Sequence, residues 1–302
     1  MNALLRDLRY RLEYAVLRLL VGLVRLMPLD TAANLSAWAW QKIAPRSRRR
    51  HERALANLAI AFPEKSEAER EAIARAMWGN LGRVMAETMQ IDRLISEPDR
   101  IEILNQQVFS RYKDKLGPAI GVSLHMGNWE LAIWPLTVAG ANPAAVYRSV
   151  NNPYVDAFLR RQRKDLYPAG LLGKGRIDGS PEEGQKTARI IMDFVRKGGR
   201  LGLVCDLYDK YGMPVPFFGQ LAPSVVIPAM IARRVGARIW LARCLRVGNQ
   251  SRFTIDIKEL KVPRTASQAE DVKWITTKMQ SEFEAWVREA PEQWMWSNRR
   301  WS

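Results

Sequence analysis

A chain of 302 residues with 47% hydrophobic content is long enough to bury a full α/β core, which excludes a disordered or collagen-like polymer. Its 47 Lys and Arg against 31 Asp and Glu leave a formal charge of +16, a surplus that draws in nucleic acid, anionic lipid head groups or an acidic carrier protein. Two cysteines and two histidines are too few soft ligands for a structural zinc site, and Cys205 and Cys244, each beside an apolar run, read as small buried residues of a reducing compartment.

Residues Tyr10 to Met27 form a helical, apolar stretch, but Glu13, Arg18 and Arg25 interrupt it. A membrane-crossing helix needs ~20 mostly apolar residues, and a central Arg costs roughly 2.5–3.5 kcal/mol on insertion scales. Arg11, Arg18 and Arg25 recur every seven residues and form one narrow stripe among Leu12, Val16, Leu19, Leu20, Leu23 and Val24. That is the pattern of a helix lying in the membrane interface. The bland reading is an amphipathic helix packed on the protein's own core. Ala32 to Ile43 is a second apolar stretch with Trp38 and Trp40, and the cluster Arg46-Ser-Arg-Arg-Arg50 suits anionic head groups or a solvated loop. No small-x-small cleavage site follows the apolar stretch, so the chain is expected to stay on the cytoplasmic side. Residues 1–45 read as membrane-associated helices and 46–302 as one further domain.

From His51 to about Asp114 the pattern is helical, with Phe62-Pro63 ending one segment and Ser66 with Glu69 making a capping box for the next. Glu87 falls within that apolar helix, which suits a paired core carboxylate. After Gly117-Pro118 short apolar runs alternate with amphipathic helices. Strands are expected at Ala119 to Leu124, Ala144 to Tyr147, Leu201 to Cys205, Arg238 to Leu241 and Phe253 to Ile257. Helices are expected at Asn128 to Val138, from Asn152 to about Asp165, from Ser180 to Gly198, at Ser224 to Val235 and from Gln268 to Arg288. The alternation predicts an α/β fold with a mostly parallel central sheet flanked by helices.

In such a sheet, ligands bind beyond the carboxyl ends of the strands. His125, Tyr147-Arg148 and Asp206 all fall at such ends. The sharpest element is His125-Met-Gly-Asn-Trp-Glu130. Five residues of helix rotate by ~500°, which would place His125 and Glu130 on different faces. The two meet only if His125 lies in the turn and Glu130 in the first helical turns, with Gly127 permitting the turn and Asn128 capping the helix. Glu130 would then accept the Nδ1 proton and leave Nε2 as a general base. His51 stands beside Arg50 and Arg53 with no obvious partner. No Gly-x-Ser-x-Gly elbow is present, so direct attack by a substrate hydroxyl is favoured over a covalent acyl-enzyme.

The His125-x4-Glu130 box resembles the His-x4-Asp/Glu motif of glycerolipid acyltransferases, and four more stretches point to one branch. Asn57-Leu58 with Ala61-Phe62-Pro63-Glu64, then Tyr147-Arg148 with Asn152-Pro153 and Arg160, Arg161 and Arg163, are similar to its first two segments. Val215-Pro-Phe-Phe-Gly219 and the ending Pro291-Glu-Gln-Trp-Met-Trp-Ser-Asn-Arg-Arg300 are similar to its last two. In order and over nearly the whole chain, these resemble the late acyltransferases of bacterial lipid A biosynthesis. The resemblance implies transfer of an acyl chain from acyl carrier protein to a hydroxyl of a lipid A precursor. The place implied is the cytoplasmic face of the inner membrane, beside anionic lipids, with no cofactor or metal required. It implies His125 as base and Glu130 as its partner. Substrate contacts fall to Arg163, Asp206, Arg148 and Asn128, with Arg163 on phosphate or phosphopantetheine and Asp206 on Arg163 or the acceptor sugar. Leu207 and Ser224 depart from the family's usual Gln and Thr.

Two other readings compete. The same chemistry would serve another acceptor, such as an ornithine lipid or a mannosylated phosphatidylinositol. A basic membrane- or nucleic-acid-binding protein fits the charge, but no nucleic-acid-binding motif is present, so nucleic acid is not an expected partner.

Overall fold

A computed structural model describes residues 3–110, 116–174 and 181–301. Helices α1 (Ala3–Arg25), α2 (Leu29–Ile43), α3 (Arg48–Ala61), α4 (Glu67–Thr88) and α5 (Ile91–Ser96) lead into strand β1 (Ile101–Ile103) and the short α6 (Gln107–Ser110). Next come β2 (Ala119–Ser123), a 3-10 turn (Trp129–Ile133), α7 (Trp134–Val138), β3 (Ala144–Arg148), α8 (Pro153–Gln162), β4 (Gly170–Lys174) and α9 (Pro181–Arg196). The chain closes with β5 (Arg200–Val204), the hairpin β6 (Met213–Phe217) and β7 (Gln220–Ser224), α10 (Ile227–Val235), β8 (Arg238–Arg246), β9 (Phe253–Leu260) and α11 (Gln268–Glu289).

Seven strands form one sheet in the order β1-β9-β8-β2-β5-β3-β4. All neighbours are parallel except β8 and β9. The expected mostly parallel sheet with helical cover is therefore present. β2, β5 and β8 are the apolar runs of the sequence, and Ile120, Val122, Leu201, Ile239 and Leu241 bury their side chains in one core.

Several expectations change in detail. The run from His51 to about Asp114 is broken by β1, a three-residue edge strand with no alternation long enough to read; Asp114 lies outside the described residues, as does Ser180 at the expected start of α9. β4 and the β6–β7 hairpin were not expected, because their Gly and Pro content masks the strand period. Ser224 ends β7 instead of opening α10. Phe218 and Gly219 both have positive φ and form the hairpin turn. The Ser66–Glu69 capping box is present as read.

α1 inverts the usual amphipathic arrangement. Its protein side carries Asp7, Tyr10 and Glu13, with Tyr154 Oη donating to Asp7 and Asn152 Nδ2 donating to the Tyr10 carbonyl and Glu13. Leu8, Leu12, Leu19, Leu23 and Leu26 are exposed, and so are Leu35 and Trp38 of α2. Of the apolar residues of α1, Val21 is buried against the protein while most of the leucines face outward. Trp40, by contrast, is partly buried and stacks on Trp78. No helix among the described residues is long and apolar enough to cross a membrane.

Candidate active site

Register brings the first pair together. β2 and β5 are parallel neighbours with Ser123 opposite Val204. Two residues further along each strand stand His125 and Asp206, and Cys205 N donates to Ser123 O at 2.9 Å to hold the frame. Asp206 Oδ1 lies 2.8 Å from His125 Nδ1, and Asp206 Oδ2 accepts from the His125 backbone N–H at 2.9 Å and from Trp294 Nε1 at 2.7 Å. The carboxylate is 1% exposed and the imidazole 20%. Nε2 has no hydrogen-bond partner among the described residues. Its ring meets Trp129 edge-on at 5.3 Å.

Electrostatics follow from that geometry. Burial alone would lower the His125 pKa, but the charge and hydrogen bond of Asp206, with a smaller contribution from Glu130, raise it above the ordinary value of 6.5. Burial pushes the Asp206 pKa up, and His125 with the surrounding donors brings it below 3.8. An Nδ1–H held by a carboxylate leaves Nε2 as the proton acceptor.

The expected partner of His125 is therefore corrected: it is Asp206, not Glu130. The segment after Asn128 is a 3-10 turn, which sends Glu130 toward α8. There Glu130 Oε1 and Oε2 accept from Arg163 Nη2 at 2.6 Å and Nε at 2.7 Å, a bidentate pair. Asp206 accordingly does not pair with Arg163; its carboxylate is taken up by His125 and Trp294. Arg163 sits at the C-cap of α8, with its guanidinium near the Tyr147 ring. Arg160 shares that ring and bonds Asp156; Arg161 is exposed. Burial, with Asp156 close by, pushes the Tyr147 phenol up to about 12.

Asn128 is also corrected. It is wholly buried, caps no helix with its side chain, and donates Nδ2 to Glu87 at 2.9 Å. Glu87 pairs with Arg246, as a core carboxylate should, and Asn80 donates to the Gly127 carbonyl at 3.0 Å. Gly127 has φ +56, and a Cβ there would lie 1.8 Å from Cys244 O. Only glycine fits this turn. His51, read as unpartnered, has Glu71 at 2.9 Å from Nε2 and accepts from Trp78 Nε1 at Nδ1.

The C-terminal tail, whose role in the site was not legible, closes the turn from below. Gly127 N donates to Gln293 O and Met295 N to His125 O, both at 3.0 Å. Asn57 donates to the carbonyls of Trp296 and Asn298. Phe62 packs on Phe218 and Trp296, and Phe217 on Trp294. Stretches far apart in sequence thus form one aromatic cluster beneath His125 and Asp206.

Beside the pair opens a cavity of about 180 Å³ on one face of the sheet. Glu130, Arg163, Tyr147 and Arg148 supply its polar lining, and Leu136, Trp240 and Ile257 are among its apolar residues. Trp129 belongs both to this wall and to the His125 contact. Gly121 and Gly202 stand side by side in the register, and a Cβ at either would meet Ile133 Cδ1, at 3.6 and 3.0 Å. Arg148 is exposed and makes no ion pair among the described residues. Cys244, buried and pushed up to about 12, is no nucleophile at neutral pH.

The profile of the family described as bacterial lipid A biosynthesis acyltransferase matches residues 2–302. The lipid A biosynthesis myristoyltransferase of Escherichia coli (strain K12) is 25% identical over 252 residues, covering 81% of this chain and 72% of its own. The lipid A biosynthesis acyltransferase 1 of Shigella flexneri is 25% identical over 257 residues, with the same coverage. A match that runs through the His125 turn, the strand ends and the tail that closes beneath them leads to one conclusion: the chain belongs to the bacterial lipid A biosynthesis acyltransferase family.

Proposed function

We propose that the protein moves a fatty acyl group from acyl carrier protein to a hydroxyl of a lipid A precursor, at the cytoplasmic face of the inner membrane. The observation that carries this is the imidazole of His125, fixed through Nδ1 by a buried carboxylate and without a hydrogen-bond partner at Nε2 among the described residues. In the proposed reaction Nε2 takes the proton of the acceptor hydroxyl as its oxygen attacks the thioester carbonyl. The tetrahedral adduct then collapses, the carbon–sulfur bond breaks, and the departing thiolate receives the proton from the imidazolium. Asp206 holds the tautomer and stabilises the imidazolium, as the carboxylate of a triad does.

The apolar part of the cavity suits the acyl chain, and Arg148, a cation with no ion pair among the described residues, suits phosphate or phosphopantetheine at its polar part. Glu130 acts through Arg163: the bidentate pair fixes a guanidinium between the cavity and α8. The exposed leucines of α1 and Trp38 of α2, interspersed with arginines, suit the surface of an anionic bilayer.

The test is the mass of the product formed by the purified protein from a defined lipid A precursor and a panel of carrier-loaded acyl chains. A precursor heavier by one acyl group supports the reading. An unchanged precursor, with acylation instead of an ornithine lipid or a mannosylated phosphatidylinositol, moves the same chemistry to another acceptor.

A further inference from the structure

Arg300 belongs to the same tail as Trp294 and is 0% exposed. A buried guanidinium loses its hydration and needs a countercharge. Among the described residues it forms no ion pair. Nη1 donates to Pro223 O at 3.2 Å, Nη2 donates to Ser224 Oγ at 2.8 Å and to Gln280 Oε1 at 3.0 Å, and Nε has no partner. Its Cζ sits 4.5 Å from the centre of the Phe217 ring. Three neutral acceptors and one ring face do not balance a full charge.

The complementary imbalance lies close by. Asp206 is buried and, while the imidazole is neutral, every group bonded to it is neutral too: the His125 ring, the His125 backbone N–H and the Trp294 indole. Two bridges join the charges. Gln280 accepts from Arg300 and donates Nε2 at 2.9 Å to the carbonyl of Cys205, the residue before Asp206. Phe217, against the guanidinium, packs on Trp294, which bonds the carboxylate. Burial brings the Arg300 pKa down to about 10, and the charge of Asp206 is what opposes a further fall.

We infer that Arg300 is a positioning residue of this site, a fixed charge one layer behind Asp206 that keeps the carboxylate ionised and makes the imidazole release its proton more readily. The physical reason is that a cation near the pair opposes the charging of His125, whereas Asp206 alone favours it. The result is a base that is restored to its neutral form after each transfer. The two other carboxylates near the pair are balanced, and the cations Arg148 and Arg299, which form no ion pair among the described residues, are exposed and screened by solvent. Glu130, on the 3-10 turn, favours the imidazolium but is neutralised by Arg163 from α8. Glu87 and Arg246, behind the Gly127 turn, neutralise each other. Gln280 of α11, Phe217 of β6, Trp129 and Trp294 are uncharged.

The inference rests on His125 acting as the base, but its test does not require acyl transfer. The chain has two histidines, so the ring nitrogens of His125 and His51 can be followed separately by NMR as pH is varied. Arg300→Met is expected to raise the His125 midpoint by about one pH unit, a tenfold gain in proton affinity, while Arg300→Lys stays within about 0.3 unit of wild type. His51 should not move in either. Gln280→Met cuts one bridge without removing charge and should leave the midpoint in place. A folded Arg300→Met protein whose His125 midpoint is unchanged overturns the inference. Should that variant not fold, thermal melting of Asp206→Asn gives the answer. Neutralising Asp206 leaves the buried cation without compensation, so melting should fall further than in His125→Ala, which removes a bond and no fixed charge. An equal or smaller fall also overturns it. A His125 midpoint that responds to Arg300 in a protein without acyl transfer would leave the coupling intact and refute the proposed function instead.

Discussion

The site contains two carboxylates bonded to basic side chains, and they differ in what stands behind them. Asp206 is enclosed by the tail and bonded by an indole and a backbone N–H; its partner is a titratable ring whose Nε2 has no hydrogen-bond partner among the described residues. Glu130 is bonded bidentately to a guanidinium that does not titrate, at the C-terminal end of α8. The first arrangement holds a proton acceptor. The second holds a fixed charge beside a cavity. Similar distances therefore serve different chemistry, and the difference lies in the partner's pKa.

That contrast can be broken at four points. His125→Ala should lower kcat by about 10³-fold or more in the purified assay while the melting curve stays near wild type, because only the proposed base is removed. Asp206→Asn should cost about 10²-fold, chiefly in kcat, since the wrong tautomer is then stabilised. Glu130→Gln should cost about tenfold and fall more on KM, read by varying the acceptor, because Arg163 loses its charged tether but the base is untouched. Asn152→Ala should have the smallest effect. It removes the cap of α8 and the bond to Tyr10 of α1, about 1 kcal/mol, which lowers melting by about 2–4 °C. Equal losses of activity in the first three would mean that the two pairs act as one unit.

The pattern of apolar runs was enough to read the parallel sheet, five of its strands and the placement of His125, Arg148 and Asp206 at strand ends. The pairing was not legible, because it depends on strand order. β5 inserts between β2 and β3, which brings Asp206 opposite His125, and nothing in the spacing of two residues 81 positions apart encodes that. The local His-x4-Glu spacing instead suggested a contact that the 3-10 turn at Trp129 prevents. Asn128 was misplaced for a related reason: its partner, Glu87, comes from α4. The similarity to known acyltransferases did mark Asn57, Phe62, Phe217, Phe218, Trp294 and Trp296, but not that they form one cluster supporting the His125 turn. Trp294 is both core and hydrogen-bond donor to Asp206.

The most direct measurement is the acid limb of kcat/KM against pH in two single variants. A base must be neutral to act, and the Asp206 charge raises the His125 pKa, so wild-type activity should fall as pH drops through a value above 6.5. With the carboxylate neutral in Asp206→Asn, that limb should move to lower pH by about one unit or more. In Glu130→Gln it should move much less. A limb that shifts with Glu130 and stays put with Asp206 would contradict the assignment of Asp206 as the group that holds the base.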